Sequence, residues 1–387
     1  MRIGLCGLFK SVWGGGESHL AMLSSELIKS GHEVCHFNAF IHHPNSPYSS
    51  NFFKTIFKLS RKPFVEDFFY DSEVFYHTLR IHSFAMKKNI DLLHFHYMNF
   101  VPSSWFFKKI DKIPVVVTLH WCPLDYPPEL ATKLWHSNIF RAHQYLSFAF
   151  GIKYADKVIS PSKYYAELIE KKIGLRSIVI PNPINIEKFA RLPPREVARK
   201  ELFLNAKDFV ILCVGRLDVE KGLEYLIQAF SNVIRECPRA KLIIVGDGPL
   251  KSFLINMTNK TRLTNVFFAG RVTNRYLDLL LSASDLYIST SIYENFSISL
   301  LDALAAGLPI ICTNVGGSPE IIENNINGLL VPPRNHVAIS EAVLKIISNE
   351  SLRTNLRKNN KVKAQLYSKS IIIPKIIGVY NELLSSK

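Results

Sequence analysis

The 387-residue sequence predicts an α/β protein made of two doubly wound parallel-sheet domains in one chain. Three observations carry this expectation. The length suits about two domains at the usual ~100–200 residues each. Short apolar runs alternate with stretches whose apolar residues recur at helical spacing, the mark of βαβ units around a sheet buried on both faces. The alternation breaks once, over the charged, proline-containing "INIEKFARLPPREVARKELFLNAKD" at 184–208, and then starts again.

The first series opens with "RIGLCGLF" at 2–9, a glycine loop in "KSVWGGGES", and "HLAMLSSELIKSG", whose helical period stops at Gly31. Further strands are expected at "HEVCHF" (32–37), "DLLHFH" (91–96), "PVVVTLH" (114–120), "ADKVISPS" (155–162) and "RSIVIPNP" (176–183). The second series runs through "FVILCVG" (209–215), "AKLIIVGDG" (240–248), "NVFFAG" (265–270), "SDLYIST" (284–290) and "LPIICTN" (308–314). The closing "SIIIPKIIGVYNELLSSK" reads as an amphipathic helix or helix pair. Domains are therefore expected over 1–187 and 188–365, with a helical segment over 366–387. In doubly wound sheets ligands bind outside the carboxyl ends of the strands, and two such sheets facing each other would leave a cleft.

A formal charge of +15 calls for an acidic partner: nucleic acid, a phosphorylated small molecule or an anionic membrane surface. The six cysteines include no C-x-x-C pair, which fits buried thiols in a reducing, cytoplasmic compartment better than a disulfide framework or zinc site. The apolar start breaks at Lys10, too early for a signal peptide, and no run approaches ~18 uninterrupted apolar residues.

Chemistry concentrates where strands end. Gly14, Gly15 and Gly16 follow the first strand, where glycines let backbone N–H groups approach an anion; a tight turn without ligand is the alternative reading. "GRLDVEKGLEYLIQAF" sets Arg216 and Lys221 between a strand and a helix start, as a pyrophosphate clamp or as surface ion pairs with Asp218 or Glu220. Gly246 in "GDGP" marks another strand-end turn. In "YENFSISLLDALAAG", Asn295 or Ser297 can cap a helix; Glu294 precedes it and Asp302 lies more than a turn inside. Carboxylates accept from two hydroxyls at once, so this pair suits a ribose diol and a sugar ring, or else consists of solvated acids. His120 ends its strand, facing a ligand or satisfied structurally. His94 and His96 share a strand face, but no third ligand stands at a recognisable spacing, so a metal site is not expected.

In this order and over nearly the full length, these stretches resemble the family 4 retaining glycosyltransferases, of GT-B architecture with two facing Rossmann-like domains. The second half carries the likeness most strongly, through "GRLDVEKGLEYLIQAF", "IIVGDGP", "FFAGRV", "YENFSISLLDALAAGLPIICTNVGGSPEII" and "NGLLVPP"; the first half matches at "GGGES", "TLH" and "IPNPIN". The resemblance implies a nucleotide diphosphate sugar donor bound by the second domain. Glu294 and Asp302 then occupy the family's E-x7-E pair, on sugar and ribose, with Asp302 one methylene short of the usual glutamate. Arg216 and Lys221 take the diphosphate with the amides of Ser297 and Ile298, beside Gly246, Asn295 and Phe296. Asn295 and Ser297 stand where the family often has glycines. Val272 meets the base, Gly15 and Gly16 close on the donor, and His120 lies beside sugar and acceptor. The closing segment braces the first domain.

The mechanism so implied is transfer to an acceptor hydroxyl with retained configuration, through an oxocarbenium-like transition state whose departing diphosphate is held by cations and amides. No D-x-D motif is present, and no cofactor or metal is expected. The acceptor is expected to be a carbohydrate or lipid-linked, in surface polysaccharide, lipopolysaccharide or glycolipid synthesis. "NFFKTIFKLSRKPF" (51–64) and "WFFKKIDKI" (105–113) interleave aromatics with cations, as a peripheral contact with anionic lipid does and as an ordinary basic surface also does. Rival readings are a GT-B glycosyl phosphorylase, a sugar-nucleotide epimerase, an NAD-dependent oxidoreductase, for which no G-x-G-x-x-G appears, and a non-catalytic nucleic-acid binder, for which no module appears.

Overall fold

The computed structural model of the chain describes residues 1–7, 15–38, 63–96, 98–121 and 138–385. It divides into two compact units, one of Met1–Pro181 with Ile372–Lys387 and the other of Asn182–Ile371.

The first unit holds a six-stranded sheet of β1 (Arg2–Gly7), β2 (Glu33–Asn38), β3 (Leu92–Phe95), β4 (Val115–Thr118), β5 (Lys157–Ser160) and β6 (Ile178–Val179). Its order is β2-β1-β3-β4-β5-β6 and every pairing is parallel. The chain reverses its direction of travel across the sheet between β1 and β3. Ile3, Leu5, Leu92, Val116 and Ile159 form one face of the core, joined there by Ile372, Ile373, Ile376, Val379 and Tyr380 of the last helix, Lys369–Ser385. That segment is one helix with Pro374 inside it, so the helix-pair alternative is set aside.

"ADKVISPS" divides as its chemistry dictates: β5 stops at Ser160, and Ser162 accepts a hydrogen bond from the Tyr165 amide to cap the helix Lys163–Ile173. Gly174 ends that helix in the left-handed conformation.

The second unit repeats the plan with β7 (Phe209–Val214), β8 (Ala240–Val245), β9 (Val266–Gly270), β10 (Leu286–Ser289), β11 (Ile310–Thr313) and β12 (Leu329–Val331), again all parallel. From one edge the order is β9-β8-β7-β10-β11-β12, the 3-2-1-4-5-6 order of a dinucleotide-binding sheet, with its switch point between β7 and β10. Successive residues of β7 alternate between two cores: Phe209, Ile211 and Cys213 face one, Val210 and Leu212 the other. The helix Leu223–Glu236 lays Leu223, Leu226, Ile227, Phe230 and Val233 on the first of these, a 3.6-residue stripe matched to that face. The sequence reading missed β12, because three apolar residues between Gly328 and Pro332 are too few to show a period.

Candidate functional site

In the second unit the residues that carry chemistry collect at the carboxyl ends of β7 and β10. Leaving β7 at Gly215, the chain must pass close to β8. Gly246 makes this possible at φ +134°, where a Cβ would stand 1.9 Å from the Gly215 carbonyl. Asp218 accepts from the Val219 amide and starts a short 3-10 turn, Val219–Lys221, which Gly222 ends at φ +55°. A side chain at Gly222 would lie 2.4 Å from the Thr290 carbonyl, so the turn sits directly on the end of β10. Two hydrogen bonds lock it there: the Thr290 hydroxyl donates to the Lys221 carbonyl at 3.0 Å, and the Ile292 amide donates to the Glu220 carbonyl at 2.8 Å.

This backbone clasp brings Lys221 Nζ to 2.6 Å from Glu294 Oε2, with the Ser291 hydroxyl 3.4 Å from the same oxygen. Only 25% of the lysine side chain and 13% of the glutamate are exposed. Burial pulls the ammonium's pKa down, but the charge and hydrogen bond of Glu294 outweigh it and leave the group above its ordinary value. Arg216 is different: 69% exposed, it reaches Asp218 at 3.3 Å and keeps most of its fork in water. Past Glu294, Ser297 accepts from the Leu300 amide at 3.3 Å and caps the helix Ile298–Ala305. The Ile298 and Ser299 amides open that helix, where no intrahelical acceptor exists for them.

Asn295 is buried, and Phe296 packs edge-on against Tyr367 while its carbonyl accepts from Asn182 at 3.0 Å. The Phe296 ring therefore serves the core, which leaves backbone as its means of contacting a ligand. Asp302 lies within the capped helix. Burial lifts its carboxyl to about 6; Lys188 opposes the rise and Asp278, itself paired to Lys188 at 2.7 Å, adds to it. Val272, between β9 and the helix Asn274–Ala283, is half-buried against the core face that holds Val210 and Leu212. Gly316 at φ +51° passes so near that a Cβ would stand 1.7 Å from the Glu294 carbonyl, which pins the backbone of the acid from the other side.

The first unit gathers histidines. Gly15 and Gly16 open the helix Gly15–Lys29, which carries His19; His96 directly follows β3, and His120 stands two residues past β4. Because β1, β3 and β4 are neighbours, the three rings meet. His96 Nδ1 lies 3.1 Å from His120 Nε2, and the His19 ring centroid is 5.3 Å from that of His96 and 4.7 Å from that of His120. Behind them His94 Nδ1 meets the Tyr380 hydroxyl at 2.6 Å and His96 Nε2 at 3.2 Å, while its Nε2 meets the Thr118 hydroxyl at 2.8 Å. Burial lowers His94 to about 3 and His120 to about 4, and burial with the neighbouring imidazoles holds His96 well below its usual range. Gly14 and the loop before Gly15 lie outside the described residues.

With this geometry in place, comparison with known proteins is decisive. The family described as Glycosyltransferase Family 4 matches residues 13–188, and Glycosyl transferases group 1 matches 194–363. The chain belongs to the family 4, group 1 glycosyltransferases. It is 34% identical over 184 residues to the uncharacterized glycosyltransferase MJ1607 of Methanocaldococcus jannaschii, a match that covers 47% of each chain and so spans about half of that relative. Among solved structures it is similar to sucrose-phosphate synthase from Thermosynechococcus elongatus, with a TM-score of 0.83 at 21% identity over 100% of both chains. It is also similar to Anabaena HepE in complex with UDP-glucose, with a TM-score of 0.74 at 20% identity, covering 99% of this chain and 100% of that one. The two parallel six-stranded sheets with flanking helices are those of GT-B glycosyltransferase structures.

In this family 4 glycosyltransferase, Lys221 meets Glu294 at the switch point of the second sheet, and the helix that Ser297 caps starts at Ile298, four residues after Glu294; Gly246 packs against the backbone of Gly215 and Arg216. The sequence reading did not foresee that Lys221 and Glu294 pair with each other; 73 residues separate them and no local pattern links them. It also missed His19, and with it the grouping around His96 and His120.

Proposed function

We propose that this glycosyltransferase moves a sugar from a nucleotide diphosphate sugar to an acceptor hydroxyl with retention of anomeric configuration. The observation that carries the reading is the Lys221–Glu294 pair at the switch point, beside a capped helix start. A preorganised cation and helix amides stabilise charge that appears only as the diphosphate leaves, where the benefit is largest. Lys221 and Arg216, with the Ser297 and Ile298 amides, take the diphosphate; Glu294, released from Lys221, accepts from sugar hydroxyls; Asp302 accepts from ribose. Asn295 and Phe296 contribute backbone, Gly246 gives the phosphates close approach, and Val272 lies by the base. Gly15 and Gly16 close on the donor, and His120 borders the sugar and acceptor. In this reading the cations meet the diphosphate charge without a divalent ion. The likeness to a fold solved with UDP-glucose supports a nucleotide sugar as donor.

The test is a thermal-shift panel of nucleotide diphosphate sugars. A donor held at 100 times its Kd stabilises by about 2.7 kcal/mol, and product made from it is expected to keep the donor's anomeric configuration by NMR. A panel that leaves every melting curve unchanged overturns the donor site, and an inverted product overturns retention.

The acceptor is proposed to be carbohydrate, lipid-linked, in surface polysaccharide or glycolipid synthesis, met at the inner face of a membrane. Residues 51–62 of the first aromatic-basic stretch lie outside the described residues. In the second, Trp105 and Ile110 are exposed beside exposed Lys109, while Phe107 is core. The helix Pro63–Lys88 exposes Phe75, Tyr76 and Leu79, and the helix Asn138–Ile152 exposes Leu146 and Phe150. Among the described residues no helix is long and apolar enough to cross a membrane. Apolar side chains on a chain of charge +15 favour peripheral binding to anionic lipid, so the protein is expected to float with phosphatidylglycerol vesicles at low salt. Protein left entirely at the bottom of the gradient would remove the membrane from the proposal.

A further inference from the structure

We infer that His19, His96 and His120 form a binding site for a divalent transition-metal ion of the zinc class, inside the first unit at the carboxyl edge of β1, β3 and β4. One ligand nitrogen from each residue falls within 4.8 Å of the other two. Four-coordinate zinc with bonds of ~2.0–2.1 Å needs its ligand nitrogens roughly 3.3 Å apart, so His96 and His120, at 3.1 Å, already stand at coordinating separation. His19, on the helix that follows β1, places a ring nitrogen within 4.8 Å of both, and coordination would require it to move closer.

The donor set names the ion. Three imidazoles with no carboxylate in the group suit zinc, copper or nickel and not calcium or magnesium, which take oxygen. Three protein ligands leave a fourth position for water, the arrangement of an open zinc site.

The surroundings fit as well. A ligating histidine commonly engages its other ring nitrogen with an outer partner that orients the ring. His96 does so: its Nε2 meets His94 Nδ1, and His94 is itself held between Thr118 and Tyr380. The partner Tyr380 belongs to the last helix, so that helix supports the ring within β3 that backs His96. The 3.1 Å between His96 Nδ1 and His120 Nε2 fits one shared proton on the line between them, and an ion at ~2.0–2.1 Å from each would sit off that line. The site is argued from the first unit alone but shares His120 with the proposed sugar and acceptor border, so its test is made without substrate and does not rest on transfer activity.

The test uses the full-length protein, stripped with a chelator and without substrate. Cobalt is expected to bind at one equivalent with the intense visible bands of four-coordinate, nitrogen-ligated Co2+, and zinc to displace it. His19→Ala and His120→Ala, checked by far-UV circular dichroism, are expected to weaken binding at least about 100-fold, and His94→Gln about 10–100-fold as an outer-shell change. His36→Gln, whose ring bonds Ser24 outside the group, is expected to bind like the wild type. Absence of stoichiometric binding, a weak six-coordinate cobalt spectrum in the wild type, or binding indifferent to His19→Ala and His120→Ala each overturns the site. The wild-type spectrum decides the matter even if a variant fails to fold.

Discussion

The carboxyl edges of the two sheets are alike in topology and opposite in electrostatics. Each lies at a point where the chain reverses its travel across a parallel sheet, between β1 and β3 in one unit and β7 and β10 in the other. The second edge carries a charged, hydrogen-bonded pair, Lys221 and Glu294, on a backbone closed by Gly222, Gly246 and Gly316. The first carries four imidazoles, of which burial holds His94, His96 and His120 neutral at pH 7. One edge holds a buried ion pair, the other a group of imidazoles. Parallel-sheet topology supplies the place, and the side chains that the strands deliver there decide the chemistry.

The comparison breaks most severely at Lys221. Lys221→Ala removes the buried cation from the second edge and is expected to lower kcat/KM for transfer about 10²–10³-fold, as loss of a preorganised charge-stabilising donor does. Release of nucleoside diphosphate measures it, and cobalt binding at the histidines should be untouched. Turnover at the wild-type rate would take Lys221 out of the proposed leaving-group site.

A smaller effect sharpens the contrast through Asp302. Its folded-state carboxyl, near 6, stands above the ordinary 3.8, so its contribution to stability is present below pH 3.8 and lost as pH rises through 6. Asp302→Asn abolishes that loss. The variant is expected to be more stable than the wild type at pH 8, by up to about 3 kcal/mol, and indistinguishable from it near pH 3.5. Denaturation midpoints at the two pH values measure this, and a difference that does not change with pH would contradict the burial argument.

Much of the second edge was legible in sequence because its parts are local. "FVILCV" is a continuous apolar run that only a sheet covered on both faces uses, and Phe209 to Cys213 do alternate between two cores. Ser297 ahead of an apolar helical period announces a cap, and Ser297 is the cap. The histidines were illegible for the opposite reason. His94 and His96 are visible as a pair, but His19 and His120 lie in other segments, and nothing in their spacing tells that β1, β3 and β4 become neighbours. Phe296 misled in another way, since its position in a ligand-like motif conceals a ring committed to Tyr367 and the core.

The sequence by itself determined the periodic elements, the glycines at strand ends and the family pattern, because backbone preference, capping and apolar spacing act over a few residues. Only the tertiary structure decided that Lys221 meets Glu294, that Tyr380 backs His94, and that three histidines from distant segments share one edge. Those meetings depend on strand order and helix docking, set by the burial of whole faces against each other rather than by any neighbouring residue.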